Sequence, residues 1–523
     1  MPSPEALVVP NVTVYDSLFA DLTEADADRV AMVNGANGVE VTFGQLRERV
    51  DAFAGWLAVQ GIGPGDVVGL LAPNGAAFAI AFHGILAAGA TATTINALYT
   101  PAQITNQLRD ASAVAVVTVS QLLPGVEVAA AELGIPAGRV VVIDGAEGHP
   151  SASEILAAGH PRPELDLDPA TRLAVLPYSS GTTGYPKGVM LTHRNLVANV
   201  AQCQPIGVTG DDVVLAVLPF FHIYGMTVLL NYALQRRARL VTMARFDLAE
   251  FLRIIERHRT TWVFIAPPIA VALAKHPAVD AVDTSAVKVV FSGAAPLDAA
   301  LADAVAKRLG CVVAQGYGMT ETSPVTHVID WRDASIDRSS IGTPVPGTQA
   351  RVVDADGNDV AVPPEGPSER GELWIRGPQV MTGYLNDPEA TAATLDADGW
   401  LHTGDLATVD ALGIYRIVDR LKELIKYRGY QVPPAVLESV LLQHPDVADA
   451  AAVGALDDDG QEFPKAFVVR RPGSEVSAED VMAFVAERVA PHEKVRAVEF
   501  IEAVPKSASG KILRRELKDA HGA

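Results

Sequence analysis

Residues 179–188 combine the residue types that bind phosphate groups. They read Ser-Ser-Gly-Thr-Thr-Gly-Tyr-Pro-Lys-Gly and follow the apolar run 173–176, which predicts a buried strand. Hydroxyl groups and flexible glycine backbone after a strand can donate hydrogen bonds to phosphate oxygens, and Lys187 adds a positive charge. The segment is not a Walker loop, because Ser or Thr does not follow its lysine and the spacing differs. The alternative is a polar surface turn, but the length and composition favour phosphate binding.

Three later segments place small or polar residues directly after predicted strands. The strands and their loops are 213–218 with 219–225, 287–291 with 292–296, and 311–314 with 315–321. Ligands of open α/β sheets collect at the carboxyl ends of strands, so these loops and the Lys187 segment predict one composite pocket. Glu321 is a candidate Mg²⁺ ligand there; a solvated surface carboxylate is the alternative.

Composition limits the classes of protein. A chain of 523 residues exceeds one core and predicts two or more domains. The net charge of −21 argues against nucleic acid as a partner. Two distant cysteines, Cys203 and Cys311, exclude a disulfide framework and indicate a reducing cytoplasm.

Membrane insertion and secretion are not expected. Residues 78–92 form the longest apolar region, which includes His83 and is too short to span a bilayer comfortably. Residues 1–11 contain no Lys or Arg, whereas a secretory signal needs a basic start.

Elements that could position these residues are visible in the alternation of patterns. Thr42 is an N-cap for a predicted helix over 43–58, and 67–71 and 113–119 are short buried strands. Such alternation predicts parallel, doubly wound α/β sheets.

The C-terminal part differs from the rest of the chain in its distribution of charged residues. Asp405 could accept hydrogen bonds from a ribose diol. Two basic runs follow in an otherwise acidic chain, 419–431 and 505–515, with a compact α/β unit between them. We therefore predict two domains, residues 1–419 and residues 420–523.

In this order the motifs resemble those of the adenylate-forming superfamily of acyl-CoA ligases, luciferases and peptide-synthetase adenylation domains. Residues 315–321, 402–405 and 511–515 are most similar to 4-coumarate:CoA ligases. The resemblance covers nearly the whole chain. It implies a large N-terminal domain of two doubly wound α/β sheets plus a distorted β-barrel, and a small mobile α+β C-terminal domain.

The resemblance also implies a reaction in two steps. A carboxylate first attacks the α-phosphate of MgATP, which gives an acyl-adenylate and pyrophosphate. The CoA thiolate then attacks the adenylate, which gives acyl-CoA and AMP. Because two anions must meet, positive charge and Mg²⁺ have to offset their repulsion.

By motif, the resemblance assigns roles to individual residues. The nucleotide-binding set is Ser179, Ser180, Gly181, Thr182, Thr183, Lys187, Gly293, Ala294, Ala295, Gln315, Gly316, Tyr317, Thr320, Asp405 and Arg420. Glu321 holds the metal. The catalytic set is Lys511, Lys426, Gln431 and His222, and Lys422 is the hinge. Arg245, Arg428 and Gly429 contact CoA.

The acyl pocket is assigned to Tyr224, Phe291, Gly293, Gly316, Gly318, Pro324 and Val325. Small glycines facing Tyr and Phe suggest a flat slot for an aromatic ring, so we expect cinnamate or 4-coumarate as the substrate. Many plant relatives carry Lys at the position of Phe291, within reach of the phenolic end of the substrate. An apolar ring there predicts weak discrimination for the 4-hydroxyl.

Three alternatives remain. A medium-chain fatty acyl-CoA ligase would share most of these motifs. A stand-alone adenylation module would need an Asp near residues 262–268, and none occurs there. A regulator that only senses ATP would not need Lys511, Lys426 and Glu321 together.

The two basic runs further predict movement of the small domain. The first step needs a cation beside the carboxylate, and the second needs that space opened for the CoA sulfur. A rotation about Lys422 that presents Lys511 first and the Lys426 face second satisfies both demands.

Overall fold

The structure, a computed structural model, describes residues 7–179, 186–428, 430–457, 461–507 and 510–521. Its α-helices are α1 (Val14–Phe19), α2 (Glu24–Ala27), α3 (Phe43–Val59), α4 (Ala76–Ala87), α5 (Pro101–Asp110), α6 (Leu123–Leu133), α7 (Ala152–Ala158), α8 (His193–Gln202), α9 (Ala233–Gln235), α10 (Leu248–His258), α11 (Pro267–Lys275), α12 (Ala299–Leu309), α13 (Pro388–Thr394), α14 (Pro434–Leu442), α15 (Ala478–Ala486) and α16 (Arg514–His521). A π-helical segment, Gly225–Tyr232, leads into α9.

Its strands are β1 (Val30–Asn34), β2 (Glu40–Thr42), β3 (Val67–Leu71), β4 (Thr91–Thr94), β5 (Ala113–Thr118), β6 (Val140–Val142), β7 (Leu173–Val175), β8 (Tyr178–Ser179), β9 (Lys187–Thr192), β10 (Val213–Ala216), β11 (Arg239–Thr242), β12 (Trp262–Ile265), β13 (Val289–Ser292), β14 (Val312–Gly318), β15 (Val325–Val328), β16 (Thr343–Pro344), β17 (Gln349–Val353), β18 (Gly371–Arg376), β19 (Gly383–Tyr384), β20 (Leu401–Val409), β21 (Tyr415–Arg420), β22 (Ile425–Tyr427), β23 (Tyr430–Val432), β24 (Val447–Leu456), β25 (Glu462–Arg470) and β26 (Ala497–Phe500).

Two large α/β sheets form the N-terminal part, as predicted. The first has the order β16-β15-β14-β13-β12-β10-β11-β1-β2, and β14 through β1 in this order run parallel. The second has the order β19-β9-β7-β4-β3-β5-β6, with β7 through β6 parallel. Parallel strands place their carboxyl ends at one edge of each sheet, which is where the predicted loops begin.

Local signals explain why α3 forms where the sequence predicts it. The Thr42 side chain accepts from the backbone N–H of Gln45, and the Gln45 side chain accepts from the N–H of Thr42. This reciprocal capping box satisfies two N–H groups that helix geometry leaves unpaired.

Phe78 and Phe82 of α4 are fully buried. The centre of the Phe78 ring lies 5.7 Å from that of Phe220, which follows β10 of the first sheet. Burial of each such ring contributes about 1.5–3 kcal/mol.

The predicted distorted barrel is corrected to an open sheet. Its strands have the order β17-β18-β20-β21 and pair antiparallel. In the part of the chain that the structure describes, the edge strands β17 and β21 share no ladder, although the Tyr415 hydroxyl donates to the Ala350 carbonyl at 3.0 Å. Four strands are too few to close around a core, since small barrels use about eight.

The C-terminal part has hydrophobic cores of its own. One packs Ile425 and Val432 with Leu437 and Leu441 of α14 and residues of β24, β25 and α15. The main N-terminal core extends no further along the chain than Tyr415, with Ile417 packed against it. We retain the domain boundary after residue 419 as our proposal, because it falls between these clusters.

None of the described helices has both the length and the apolar character needed to cross a membrane.

Candidate active site

A cavity of about 790 Å³ opens where the carboxyl ends of β10, β13 and β14 face Ser507, Lys511 and Leu513, which precede α16. The predicted site residues that line it are Ser179, Lys187, His222, Tyr224, Phe291, Gly293, Ala294, Gly316, Tyr317, Gly318, Thr320, Glu321, Pro324, Val325, Arg420, Lys422 and Lys511. The loops after three parallel strands therefore meet in one cavity, where ligands of such sheets collect.

Other predicted site residues lie elsewhere. Those that are described but do not line the cavity are Ala295, Gln315, Asp405, Lys426, Arg245 and Arg428. Ser180, Gly181, Thr182, Thr183 and Gly429 lie outside the described residues, and so does the side chain of Gln431.

Lys187 begins β9, opposite Ser179 of β8, so the two ends of the candidate phosphate segment are held side by side. Its ammonium group lies 3.2 Å from the Asp387 carboxylate and 5.1 Å from the centre of the Tyr384 ring. The hydrogen bond from the Ala390 N–H lowers the pKa of Asp387 below its usual value, and Lys187 lowers it further. Partly exposed ion pairs contribute little stability, so a phosphate group could replace Asp387 beside Lys187 at small cost.

Glu321 supplies a buried carboxylate directly after β14. It is 6% exposed, and its Oε1 accepts a 2.9 Å hydrogen bond from the Tyr384 hydroxyl. Burial and the Glu321 charge raise the pKa of Tyr384, so this hydroxyl remains a donor. The described residues contain no group of three or more His, Cys, Asp or Glu that could hold a metal ion. Mg²⁺ often binds through one or two carboxylates plus phosphate oxygens and waters, so a single carboxylate here fits that chemistry.

Asp405 and Arg420 are cross-strand partners in β20 and β21, and their side chains form an ion pair at 3.2 Å. The other carboxylate oxygen of Asp405 accepts a 2.5 Å hydrogen bond from the Tyr317 hydroxyl. Burial raises the pKa of Asp405, while Arg420 and the Tyr317 hydrogen bond oppose the rise. Each carboxylate oxygen can accept two hydrogen bonds, so a ribose hydroxyl at Asp405 would share an oxygen with one of these partners.

Gln315 does not line the cavity, so its assignment to the nucleotide site stays a prediction. Its Oε1 accepts from the N–H of Leu297 at 3.2 Å, and its Nε2 donates to the carbonyl of Arg338 at 2.6 Å. Gln315 therefore holds the end of the loop that follows β13.

In that loop Ala294 has a left-handed backbone with φ of 71°. Such strain costs about 1–3 kcal/mol in a non-glycine residue and is concentrated at functional sites.

The acyl wall differs from the flat slot that the sequence suggested. A Cβ atom placed on Gly293 would lie 2.7 Å from the Tyr224 ring, and one on Gly316 would lie 3.1 Å from the Phe291 ring. The two rings therefore fill the space that the glycines leave. Both side chains are largely buried, with Tyr224 7% and Phe291 3% exposed, and they present only their cavity-lining atoms to a ligand.

His222 follows β10 and is half-buried at the cavity wall. Its Nδ1 accepts a 3.3 Å hydrogen bond from the backbone N–H of Tyr224, which places the ring proton on Nε2. Burial lowers the pKa of His222 to about 4. His222 is therefore neutral near pH 7 and can donate a hydrogen bond without adding a charge.

Lys511 lines the cavity and is held by backbone hydrogen bonds to Ser507. Its backbone N–H donates to Ser507 Oγ at 3.1 Å, and the Ser507 N–H donates to the Lys511 carbonyl at 2.8 Å. Burial lowers the pKa of Lys511 to about 8, and the positive charge of Arg420 adds to this decrease. The negative charges of Glu423 and Asp405 act in the opposite direction and raise the pKa. Lys511 and Arg420 therefore bring two cationic side chains to this end of the cavity, where Asp405 pairs with Arg420.

The other basic residues lie away from the cavity. Lys426 is exposed on β22, and its backbone N–H donates to Glu462 at 2.8 Å. Arg245 is exposed between β11 and α10, and Arg428 is exposed after β22. Lys511 and Lys426 therefore do not share the cavity in this arrangement.

Several cavity residues were not assigned from the sequence, among them Tyr384, Glu372 and His402. Tyr384 reaches Glu321 because β19 pairs with β9, a long-range contact without a local signal. Glu372 accepts from the Gly404 N–H and from the Trp374 indole, both at 2.9 Å. The His402 ring stacks on Trp374 with centroids 3.8 Å apart. The sequence shows both the strand-like run 372–377 and the motif 402–405, but it does not show that the two segments contact each other.

Two family models match the chain. The model described as AMP-binding enzyme matches residues 19–385, and the model for the AMP-binding enzyme C-terminal domain matches residues 436–511.

Individual proteins are similar over almost the full length. 4-coumarate–CoA ligase 3 of Oryza sativa subsp. japonica is 41% identical, over 98% of this chain and 93% of the relative. The anthranilate CoA ligase AuaEII, solved with anthranoyl-AMP, is 28% identical with a TM-score of 0.89, over 98% of each chain. ATP-bound MatB from Rhodopseudomonas palustris is 27% identical with a TM-score of 0.88, over 98% of this chain and 99% of that one.

Proposed function

The chain belongs to the AMP-binding enzymes, and from this premise we propose that it activates a carboxylic acid with ATP and transfers the acyl group to CoA. It is an acyl-CoA ligase that forms AMP. The observation that carries the proposal is the single cavity, which joins the Lys187 end, the buried Glu321, the cationic Lys511 end and an apolar wall.

The acid is of the cinnamate or 4-coumarate type. Relatives that carry the name 4-coumarate–CoA ligase support this choice, as does the structural likeness to a ligase solved with an aromatic acyl-adenylate. In this chain the wall carries the rings of Tyr224 and Phe291, against which an aromatic acid can pack.

In the first step, a carboxylate oxygen bonds to the α-phosphorus of ATP, and the bond from that phosphorus to pyrophosphate breaks. Lys511 contacts the attacking carboxylate and the α-phosphate and offsets their repulsion. Lys187, Ser179 and the hydroxyl-rich segment between them hold the β- and γ-phosphates. Thr320 donates to the α-phosphate.

Glu321 would hold Mg²⁺ together with phosphate oxygens. The ion supplies charge neutralisation at the phosphates. Gly293, Ala294 and Ala295 frame adenine with Gly316 and Tyr317, and Asp405 with Arg420 binds the ribose.

In the second step, the CoA thiolate attacks the acyl carbon and AMP leaves. Neutral His222 lies between the acyl and CoA sides and can donate to the acyl oxygen. A rotation about Lys422 moves the chain that follows this residue, withdraws Lys511 and presents Lys426 and Gln431. Arg245, Arg428 and Gly429 contact CoA.

A medium-chain fatty acid is the second candidate substrate, because the same wall is apolar and its motifs are shared. An adenylation module is disfavoured: β12 and the start of α11, where the amino-group Asp would lie, consist of Trp262–Ile265, Ala266 and two prolines. The cytoplasm is the proposed location, which agrees with two free cysteines.

A substrate panel tests the choice of acid. We expect cinnamate and 4-coumarate to exceed decanoate in kcat/KM, because the rings of Tyr224 and Phe291 match a flat acid. We expect the two phenylpropenoids to differ by less than roughly tenfold, because no polar side chain at position 291 demands or rejects the hydroxyl. Pyrophosphate release and acyl-CoA formation are measured for each acid.

Higher kcat/KM with decanoate than with every phenylpropenoid would favour the fatty acid reading. A preference of several hundredfold for 4-coumarate over cinnamate would show that another group reads the hydroxyl.

The kcat/KM of the first step should fall as the pH rises through about 8, the value to which burial lowers the pKa of Lys511 in the free enzyme. Below this pH the amine is charged and offsets the two anions; above it the charge is lost. Pyrophosphate release is measured without CoA, so that titration of the CoA thiol does not contribute. In Lys511→Arg the charge persists above pH 9, so the alkaline loss should move upward. An unchanged alkaline limb in that variant would assign the titration to another group.

A further inference from the structure

Lys511 reaches the cavity because the C-terminal part is docked on the N-terminal part. Gly510 packs closely on α11, since a Cβ atom there would lie 3.1 Å from Cδ of Pro268. A second contact is polar: Oγ of Ser439, on α14, donates a 2.8 Å hydrogen bond to Oδ2 of Asp298. Neither Ser439 nor Asp298 lines the cavity.

Asp298 is also fixed by a second set of hydrogen bonds, to the start of α12. It is the N-cap of α12, and its Oδ1 accepts from the backbone N–H groups of Ala300 and Leu301 at 3.0 and 3.2 Å. Capping fixes the side chain and leaves Oδ2 pointing to Ser439. Asp298 also directly follows Leu297, whose N–H binds Gln315 at the end of the loop carrying Gly293 and Ala294.

We propose that Ser439 and Asp298 form a latch that holds the C-terminal domain in the arrangement for adenylate formation. The inference rests on the proposed function, because it assigns the present arrangement to the first step. Ser439 is a positioning residue: it acts through the placement of Lys511 and touches no substrate.

The chemistry of the contact suits a reversible latch. A hydrogen bond is lost once the two oxygens separate beyond about 3.5 Å, so a small rotation about Lys422 breaks it. Both groups are only half-buried and can be solvated after separation, so opening leaves no buried unpaired charge. The latch can therefore bias two arrangements without trapping one.

Half-reaction kinetics with matched variants test the latch. Ser439→Ala removes the hydroxyl and keeps a good helix former in α14. Asp298→Ser keeps an N-cap oxygen for α12 but is too short to reach Ser439. Gln443→Ala, an exposed change at the end of α14, is the control, and Ser439→Thr restores a hydroxyl. Pyrophosphate release without CoA reports the first step, and CoA added to supplied acyl-adenylate reports the second.

We expect Ser439→Ala and Asp298→Ser each to slow the first step about three- to tenfold, because each lowers the population of the docked arrangement. The second step should be unchanged or faster. The double variant should be no slower than either single variant, Ser439→Thr should restore the rate, and thermal unfolding should not change.

Equal slowing of both steps, an unchanged first step, or additive losses in the double variant would each overturn the latch. The proposed function fails separately, if the wild-type protein releases no pyrophosphate with any carboxylic acid of the substrate panel. A normal response of Lys511→Ala with an unaffected Ser439→Ala would remove the latch alone.

Discussion

Lys511→Ala should slow acyl-adenylate formation about a hundredfold, while thioester formation from supplied acyl-adenylate stays near the wild-type rate. Loss of a group that stabilises charge in the transition state costs about 3 kcal/mol or more, which corresponds to this factor. Lys511 is suited to such a role because it lines the cavity, is half-buried and lies beside Arg420. Pyrophosphate release and acyl-CoA formation are measured separately in single turnovers.

Arg515→Ala is the matched control. Arg515 belongs to the same basic run but is exposed and pairs with Asp519 on α16. If positive charge in this run served only solubility, both variants would behave alike. Equal losses in the two half-reactions of Lys511→Ala, or no loss in either, would remove Lys511 from the first step.

Lys422→Pro should still form acyl-adenylate but convert it to acyl-CoA at least about tenfold more slowly. Proline fixes φ, and hinges work through a few residues that absorb large backbone changes. In the described part of the chain, the N–H of Leu421 donates to the Gly404 carbonyl at 2.8 Å and that of Glu423 to Arg420 at 3.0 Å, but the N–H of Lys422 has no partner. Proline at this position therefore removes freedom without removing a hydrogen bond.

Lys422→Ala separates backbone freedom from the side chain, because it deletes the ammonium group and leaves φ free. It should keep both half-reactions near the wild-type rate. Single-turnover kinetics are compared after thermal melting shows that both variants are folded. A folded Lys422→Pro with wild-type rates in both steps would place the hinge elsewhere or show that no rotation is needed.

Both tests concern a small domain whose relation to the rest was predicted from only two basic runs. The structure places one lysine of these runs, Lys511, at the cavity and leaves Lys426 exposed on β22. That separation supports alternation as a proposal, since one fixed arrangement presents only one of the two residues.

The sequence by itself determined the features that depend on near neighbours. The capping box of Thr42 and Gln45 sets the start of α3, and the apolar runs set β3, β5 and β7 to within one or two residues. The order of polar loops after strands located the cavity, because parallel strands bring their carboxyl ends to one edge. These signals act over a few residues and are therefore readable along the chain.

Only the tertiary structure decided what each side chain meets. Tyr224 and Phe291 fill the space beside Gly293 and Gly316, whereas the sequence suggested a flat slot for an aromatic ring there. Gln315 lies within a binding motif, yet it holds backbone groups of distant loops. The sheet of β17, β18, β20 and β21 is open rather than a barrel, because it has four strands and its edge strands do not pair in the described part of the chain. Composition and spacing give the residues available to a site, but close packing and the need to satisfy buried polar groups decide which of them face the ligand.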